Sequence, residues 1–229
     1  MKIKGITDVF FDLDHTLWDF DKNSALTFDK IFKSNAISVN LNEFIEVYEP
    51  INLNYWKLYR ENRISKSDLR FKRLDDAFRA LDIVLEAEQI HMLSEDYITW
   101  LSSFNHLFDH TEEILNYLSN QYKLHIITNG FEEVQHKKLT HSNIIHYFDT
   151  ITNSESVGVK KPHPDIFHHA LKQANTSSEK SVMIGDNYEA DVLGARDIGM
   201  EVIFFNIRND AIDEVIPQIN HLSLLKNYL

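Results

Sequence analysis

The sequence predicts an α/β protein, a doubly wound parallel sheet with a helical bundle inserted after its first strand. Three observations predict it. Short apolar runs from Leu124 onward alternate with helix-length amphipathic stretches, the pattern of a parallel sheet covered on both faces. One more such run, Val9-Phe10-Phe11, stands near the N-terminus. Between them, from about Asn23 to Phe104, the sequence is polar, helical in period and almost without strand signal.

The first run leads straight into Asp12-Leu13-Asp14-His15-Thr16-Leu17-Trp18. Phe10, Phe11 and Leu13 read as a buried strand, and alternation puts Asp12 and Asp14 on one side of it. Two carboxylates so placed repel each other and resist burial unless a cation or proton lies between them. Taken alone, the pair reads equally well as a strand ending in a solvated turn. The stretch that follows carries apolar stripes at helical spacing: Leu26, Ile31, Phe32; then Phe44, Val47, Tyr48, Ile51, Tyr55. Ser65 and Asp68 form a capping box ahead of Leu69, Leu74, Phe78 and Leu81, and a fourth stripe runs from Ile90 through Leu93, Tyr97 and Ile98 to Leu101. Glycine is absent from Ile6 to Asn129, so these helices have few breaks, and an antiparallel bundle is expected. Trp56, Trp100 and the tyrosines of this stretch are expected in its core.

Thr111 is expected to cap a helix with Glu112 and Glu113 in its first turn. Strands are expected at Leu124–Thr128, Phe148–Thr152, Val182–Ile184 and Val202–Phe205. Pro164 suits the start of one intervening helix, and Ala190, Val192 and Ala195 mark another.

Composition narrows the chemistry. With 43% hydrophobic and 12% aromatic residues, the 229-residue chain can bury a sizeable core. Its 35 acidic and 23 basic residues give a net charge of −12, which disfavours nucleic acid polymers and anionic membranes as partners. The absence of cysteine excludes disulfides, zinc–thiolate sites and thiol nucleophiles. No apolar run approaches a membrane span, and the N-terminus enters a core strand almost at once, so a cytoplasmic protein is expected.

The polar signals fall just past the carboxyl ends of the strands, where an open parallel sheet gathers ligands. They are Asp12 and Asp14, Thr128-Asn129-Gly130, Gly158-Val159-Lys160-Lys161-Pro162, and Gly185-Asp186 with Asp191. Carboxylates, a hydroxyl-amide turn and a lysine together suit magnesium and a phosphoryl group. The histidines, including His136, His141, His146 and His168-His169, lack ligand spacing and read as surface or core-edge residues.

These four motifs, in this order, resemble the haloacid dehalogenase-like hydrolase superfamily over essentially the whole chain. The resemblance implies a Rossmann-like core domain at 1–17 and 106–229 and a helical cap domain at 18–105, a cap that closes over the site. It implies that Asp12 is the nucleophile and a magnesium ligand. Asp14 would be the general acid/base, its backbone carbonyl touching the metal, and Thr128 and the backbone amide of Asn129 would hold the phosphoryl oxygens. Lys161, directly before the proline, matches the family's lysine, with Lys160 as the competitor; Asp186 and Asp191 would complete the metal site.

The string from Phe11 to Phe20, with His15, Trp18 and Asp19, resembles the pyrimidine 5′-nucleotidase branch and makes His15 and Trp18 candidate substrate contacts. The implied function is hydrolysis of small phosphomonoesters, a pyrimidine nucleoside monophosphate first among them, through an aspartyl-phosphate with Mg2+ as cofactor. The alternatives are a sugar-phosphate or other small-metabolite phosphatase, a 2-haloacid dehalogenase, and a non-catalytic metal-binding regulator.

Overall fold

The structure, a computed structural model, describes residues 2–212 and 214–229. Six strands form one sheet: β1 (Asp8–Phe11), β2 (Lys123–Thr128), β3 (Phe148–Asn153), β4 (Ser181–Gly185), β5 (Glu201–Phe205) and β6 (Gln218–Ile219). Their spatial order is β3-β2-β1-β4-β5-β6, with every pairing parallel. The expected fold class is therefore the observed one. β6, two residues long, is too short to carry a periodic signal and was not expected.

The strands are nearly continuous apolar runs because both faces are covered: Val9, Phe10, Phe11, Ile126, Ile127 and Ile184 are all fully buried. Register places Phe11 beside Ile126 of β2 and Ile184 of β4, so three strands end side by side. Chain order reverses about β1, with β2 and β3 on one side and β4 to β6 on the other. That reversal opens a crevice beyond the carboxyl ends.

Four helices follow β1: α1 (Phe20–Ser34), α2 (Leu41–Arg60), α3 (Lys66–Ala80) and α4 (Ala87–Leu101). Later come α5 (Thr111–Ser119), α6 (Glu132–His141), α7 (Ser154–Val157), α8 (Pro164–Ala174) and α9 (Gly194–Asp197). The chain divides into two compact units, Met1–Phe20 with Asn105–Leu229, and Asp21–Phe104. Trp18 to Phe20 go with the sheet because the turn there is tied back to it: Asp19 N donates to His106 O and Phe108 N to Leu17 O, both at 3.0 Å.

In the helical unit the capping box forms, Asp68 N donating to Ser65 Oγ (3.0 Å) and Ser65 N to Asp68 Oδ2 (3.3 Å). The stripes need correction. α2 buries Phe44, Tyr48, Asn52 and Tyr59, whereas Val47, Ile51 and Tyr55 are only half-buried. A fully buried arginine, Arg73 of α3, explains the polar member: its Nη1 donates to Asn52 Oδ1 at 2.9 Å, and its guanidinium lies 5.0 Å from the Tyr97 ring centroid. Trp100 was expected inside but is 39% exposed, with Lys30 Nζ 3.7 Å from its ring centroid. Trp56 is half-buried.

Thr111 is not a cap. His110 holds that position with φ 66°, and Thr111 Oγ1 donates back to Phe108 O at 2.7 Å, bracing the loop. Pro164 does open α8, behind the cap residue His163. The expected helix around Ala190 is a π-helical turn, Tyr188–Leu193, running into α9.

Candidate active site

Asp12 continues the β1 ladder by donating its N–H to Ile184 O at 2.9 Å, which fixes its side chain at the mouth of the crevice. After it the chain turns sharply. Leu17 N and Trp18 N both donate to Leu13 O, and His15 takes φ 60° to close the turn.

Lys161 is the lysine that reaches Asp12. Its buried ammonium donates to Asp12 Oδ1 (2.6 Å) and Ile127 O (2.6 Å) and is ion-paired with Asp191 Oδ1 (2.7 Å). Burial works against its charge, but Asp12 and Asp191 outweigh that and hold its pKa above the usual lysine value. Asn129 fixes the backbone behind this ammonium. Its Oδ1 accepts from Lys161 N at 2.8 Å, and its Nδ2 donates to Lys161 O at 3.0 Å.

Asp191 arrives from the π-helical turn, where its Oδ2 accepts from Asn187 N at 3.1 Å. It fits only because residue 185 has no side chain. A Cβ on Gly185 would lie 2.3 Å from Asp191 Oδ2. Asp186 completes the group, accepting from Thr16 Oγ1 at 3.5 Å, with Arg208 Nη1 4.0 Å from its Oδ2. One carboxylate oxygen from each of Asp12, Asp186 and Asp191 lies within 4.8 Å of the other two. Burial, opposed by Lys161 and reinforced by Asp191 and Asp14, pushes Asp12 up to about 7. Burial with Asp12 and Asp191 beside it drives Asp186 well above the carboxylate range. Three carboxylates with one nearby ammonium have room for a divalent cation, and hard oxygen donors suit Mg2+.

The Thr128 hydroxyl oxygen accepts from Gly130 N (3.1 Å) and Gln135 Nε2 (2.6 Å), which leaves its hydrogen to donate. Gly130 leaves room for this contact, since a Cβ there would meet Gln135 Nε2 at 2.0 Å and displace that side chain. Asp14 stands apart from the other carboxylates. Its Oδ1 is 2.5 Å from Lys138 Nζ, and its Oδ2 accepts from Gln135 Nε2 at 2.9 Å.

His15 Nδ1 lies 3.3 Å from Arg208 Nη2. Trp18 is fully buried, its ring 4.2 Å from Lys138 Nζ. Gln135, Lys138 and Arg208 were missed by the sequence reading. For the first two a signal existed: two polar residues at i, i+3 beside Val134 and Leu139, directly after the Thr128-Asn129-Gly130 turn.

Comparison with known proteins gives the family of the chain. The sequence family described as haloacid dehalogenase-like hydrolase matches residues 9–205. Pyrimidine 5′-nucleotidase YjjG of Escherichia coli is 30% identical over 199 residues, 86% of this chain and 85% of that protein. A glyceraldehyde 3-phosphate phosphatase of Methanothermobacter thermautotrophicus is also 30% identical, over 86% of this chain and 84% of its own. Among solved structures, the HAD-hydrolase YfnB of Bacillus subtilis, bound to magnesium, superposes with a TM-score of 0.88 at 25% identity, covering 98% of both chains. A match over most of the chain, on a parallel sheet with these residues at its carboxyl ends, makes this protein a member of the haloacid dehalogenase-like hydrolase family.

Proposed function

We propose that the protein is a magnesium-dependent phosphatase that cleaves small phosphomonoesters through an aspartyl-phosphate on Asp12, with pyrimidine nucleoside 5′-monophosphates as its substrates. The observation that carries this reading is the separation of two carboxylates two residues apart. Asp12 sits with Lys161, Asp186 and Asp191, and Asp14 is held away from them by its own partners.

Asp12, Asp186 and Asp191 would hold the ion, with the Asp14 carbonyl as the further ligand that the family pattern implies. Bound there, it would offset charge on the phosphoryl oxygens and on the attacking carboxylate. Lys161 supplies positive charge beside Asp12, and the Thr128 hydroxyl, with the backbone N–H of Asn129, donates to the transferring group. Asp12 Oδ attacks phosphorus as the ester P–O bond breaks, and Asp14 gives its proton to the departing alcohol. Asp14 then takes a proton from water as the water oxygen bonds phosphorus and the Asp12 O–P bond breaks, which releases phosphate, frees the Asp12 carboxylate and leaves Asp14 protonated for the next cycle.

The dehalogenase reaction uses the first aspartate and has no need of a second. An Asp14 gripped by two side chains favours phosphoryl transfer instead. The likeness to YjjG and the Phe11–Phe20 string support a nucleotide substrate. A three-carbon sugar phosphate is the second reading, supported by an equal identity to the glyceraldehyde 3-phosphate phosphatase.

The test is phosphate release from uridine and thymidine monophosphates, glyceraldehyde 3-phosphate and p-nitrophenyl phosphate, with chloride release from 2-chloropropionate alongside. Release should vanish in excess chelator, return with magnesium and be fastest on the nucleotides. Undiminished release in chelator, or chloride release alone, would overturn the reading. A sugar phosphate turned over while both nucleotides fail would select the second substrate.

A further inference from the structure

A second lysine divides the carboxylates at this end of the sheet. Lys161 serves Asp12 and Asp191, and Lys138 serves Asp14. Lys138 and Gln135 stand three residues apart on α6 and so share one helix face, from which each grips a different oxygen of Asp14. Both are themselves fixed. Gln135 Nε2 also donates to Thr128 Oγ1 at 2.6 Å, and Lys138 Nζ lies 4.2 Å from the Trp18 ring centroid and 5.2 Å from that of Phe20. Both are buried, and a buried ammonium is costly unless paired; the Asp14 carboxylate and the Trp18 face both offset that cost for Lys138.

The arrangement solves a problem that two neighbouring aspartates create. Asp14 lies two residues from Asp12 in the chain, and a carboxylate there with no partner of its own would be drawn to the cations that serve Asp12 and Asp186. Gripped at both oxygens, it stays out of that group. About a fifth of its side chain, 20%, remains exposed, enough for a leaving group or a water to reach it.

The geometry points to Gln135 and Lys138 as positioning residues that hold Asp14 outside the cation site and in place for proton transfer. This rests on the phosphatase reading above and extends it to two residues that touch neither the ion nor the phosphoryl group. Lys138 acts through Asp14, and Gln135 through Asp14 and Thr128.

The experiment compares two leaving groups. p-Nitrophenolate departs without a proton, and the alcohol of uridine monophosphate or glyceraldehyde 3-phosphate does not. Lys138→Met, which keeps the length of the stem, should lower kcat/KM on the alkyl ester by about ten- to a hundredfold, part of the usual share of general acid catalysis. On p-nitrophenyl phosphate the loss should stay within about threefold. In an Asp14→Asn background the same substitution should cost no more than about twofold, because it has nothing left to position. Equal losses on both esters, additive losses in the double variant, or wild-type values throughout would each overturn the inference.

Melting curves check the fold, and Lys138→Leu carries the same comparison if Lys138→Met does not fold. A crystal structure of whichever variant folds decides the matter without turnover. Asp14 should leave its present place, and an unmoved carboxylate overturns the positioning role. Wild-type protein that hydrolyses neither ester would defeat the phosphatase reading alone, leaving the positioning question to that structure.

Discussion

β1 carries an aspartate at each end, and the two have opposite surroundings. At the amino end, Asp8 is closed in by neutral donors. Thr7 Oγ1 and Thr176 Oγ1 donate to its Oδ2 at 2.6 and 2.7 Å, and His125 Nε2 lies 3.0 Å from its Oδ1, while His125 Nδ1 is 2.9 Å from Thr150 Oγ1. Every polar atom of that pair has a partner. At the carboxyl end, Asp12 shares Lys161 with Asp191, and Asp186 adds a third carboxylate whose cation, Arg208, stands off at 4.0 Å, so three carboxylates face two cations. Saturated polar burial of the first kind stabilises; an excess of one charge of the second kind costs stability and marks a place built for something else.

Substitution should separate the two ends. Asp12→Asn should abolish turnover, since an amide cannot form the acyl phosphate, while the melting temperature stays level or rises as one crowded charge is removed. A variant that keeps near wild-type phosphate release would contradict the role given to Asp12. Gly185→Ala should come next, because the new methyl occupies the position of the Asp191 carboxylate. We expect kcat/KM to fall by about two orders of magnitude, roughly 2.7 kcal/mol of transition-state stabilisation, with weaker magnesium binding by calorimetry. Magnesium affinity equal to wild type would remove Asp191 from the cation site.

Asp8→Ala should do the reverse. It strips a partner from fully buried His125, as well as from half-buried Thr176 and exposed Thr7, which costs about 1–3 kcal/mol, or a fall of roughly 2–8 °C in the midpoint of thermal unfolding. kcat/KM, measured well below that midpoint, should change less than about twofold. A large loss of activity at unchanged stability would mean that the two ends are coupled.

The smallest effect is on the pH dependence of stability. Burial would raise the Asp8 pKa, but its hydrogen bonds from Thr7, Thr176 and His125 outweigh that and leave it below the ordinary value. Its contribution is therefore present above about pH 4, the unfolded value, and is lost as pH falls through the folded one. Burial lowers the His125 pKa, so the folded protein keeps it neutral where the unfolded chain, titrating near ~6.5, takes up a proton. Stability should thus decline as pH drops below about 6.5, and further below about 4. His125→Leu should flatten the first decline in calorimetric scans, and an unchanged slope would rule that source out.

The same contrast explains what was legible in the sequence. The sheet was readable because its strands are buried on both faces and so lack alternation, and because Asp12, Thr128, Lys161 and Asp186 mark the ends of strands or the loops just beyond them. The grips on those residues were not readable. Gln135 and Lys138 look like the solvent side of α6 until Asp14 is seen to face them. Arg73 and Asn52 interrupt two apolar stripes because they answer each other across helices, which single-helix periodicity cannot show. Trp100 was assigned inward by size alone, although its broad face can lie under a lysine at the surface. The turn that delivers Asp191 is π-helical, and its wider ring depends on how Asn187 closes it: Ala190 N donates to the Asn187 side chain.

The Asn129 side chain, bonded to Lys161 on both its N–H and C=O, ties two loops that are 32 residues apart in the chain. The end of β2 and the lysine loop are therefore tied together, and the gap between the Thr128 hydroxyl and the Lys161 ammonium is gauged by that asparagine amide and by the ammonium's own bond to Ile127 O. On the proposed reading, that gap is a caliper for the tetrahedral group common to every phosphate ester. Its jaws cannot be reset by loosening one loop, so any choice among esters has to be made by what lies beyond the phosphorus.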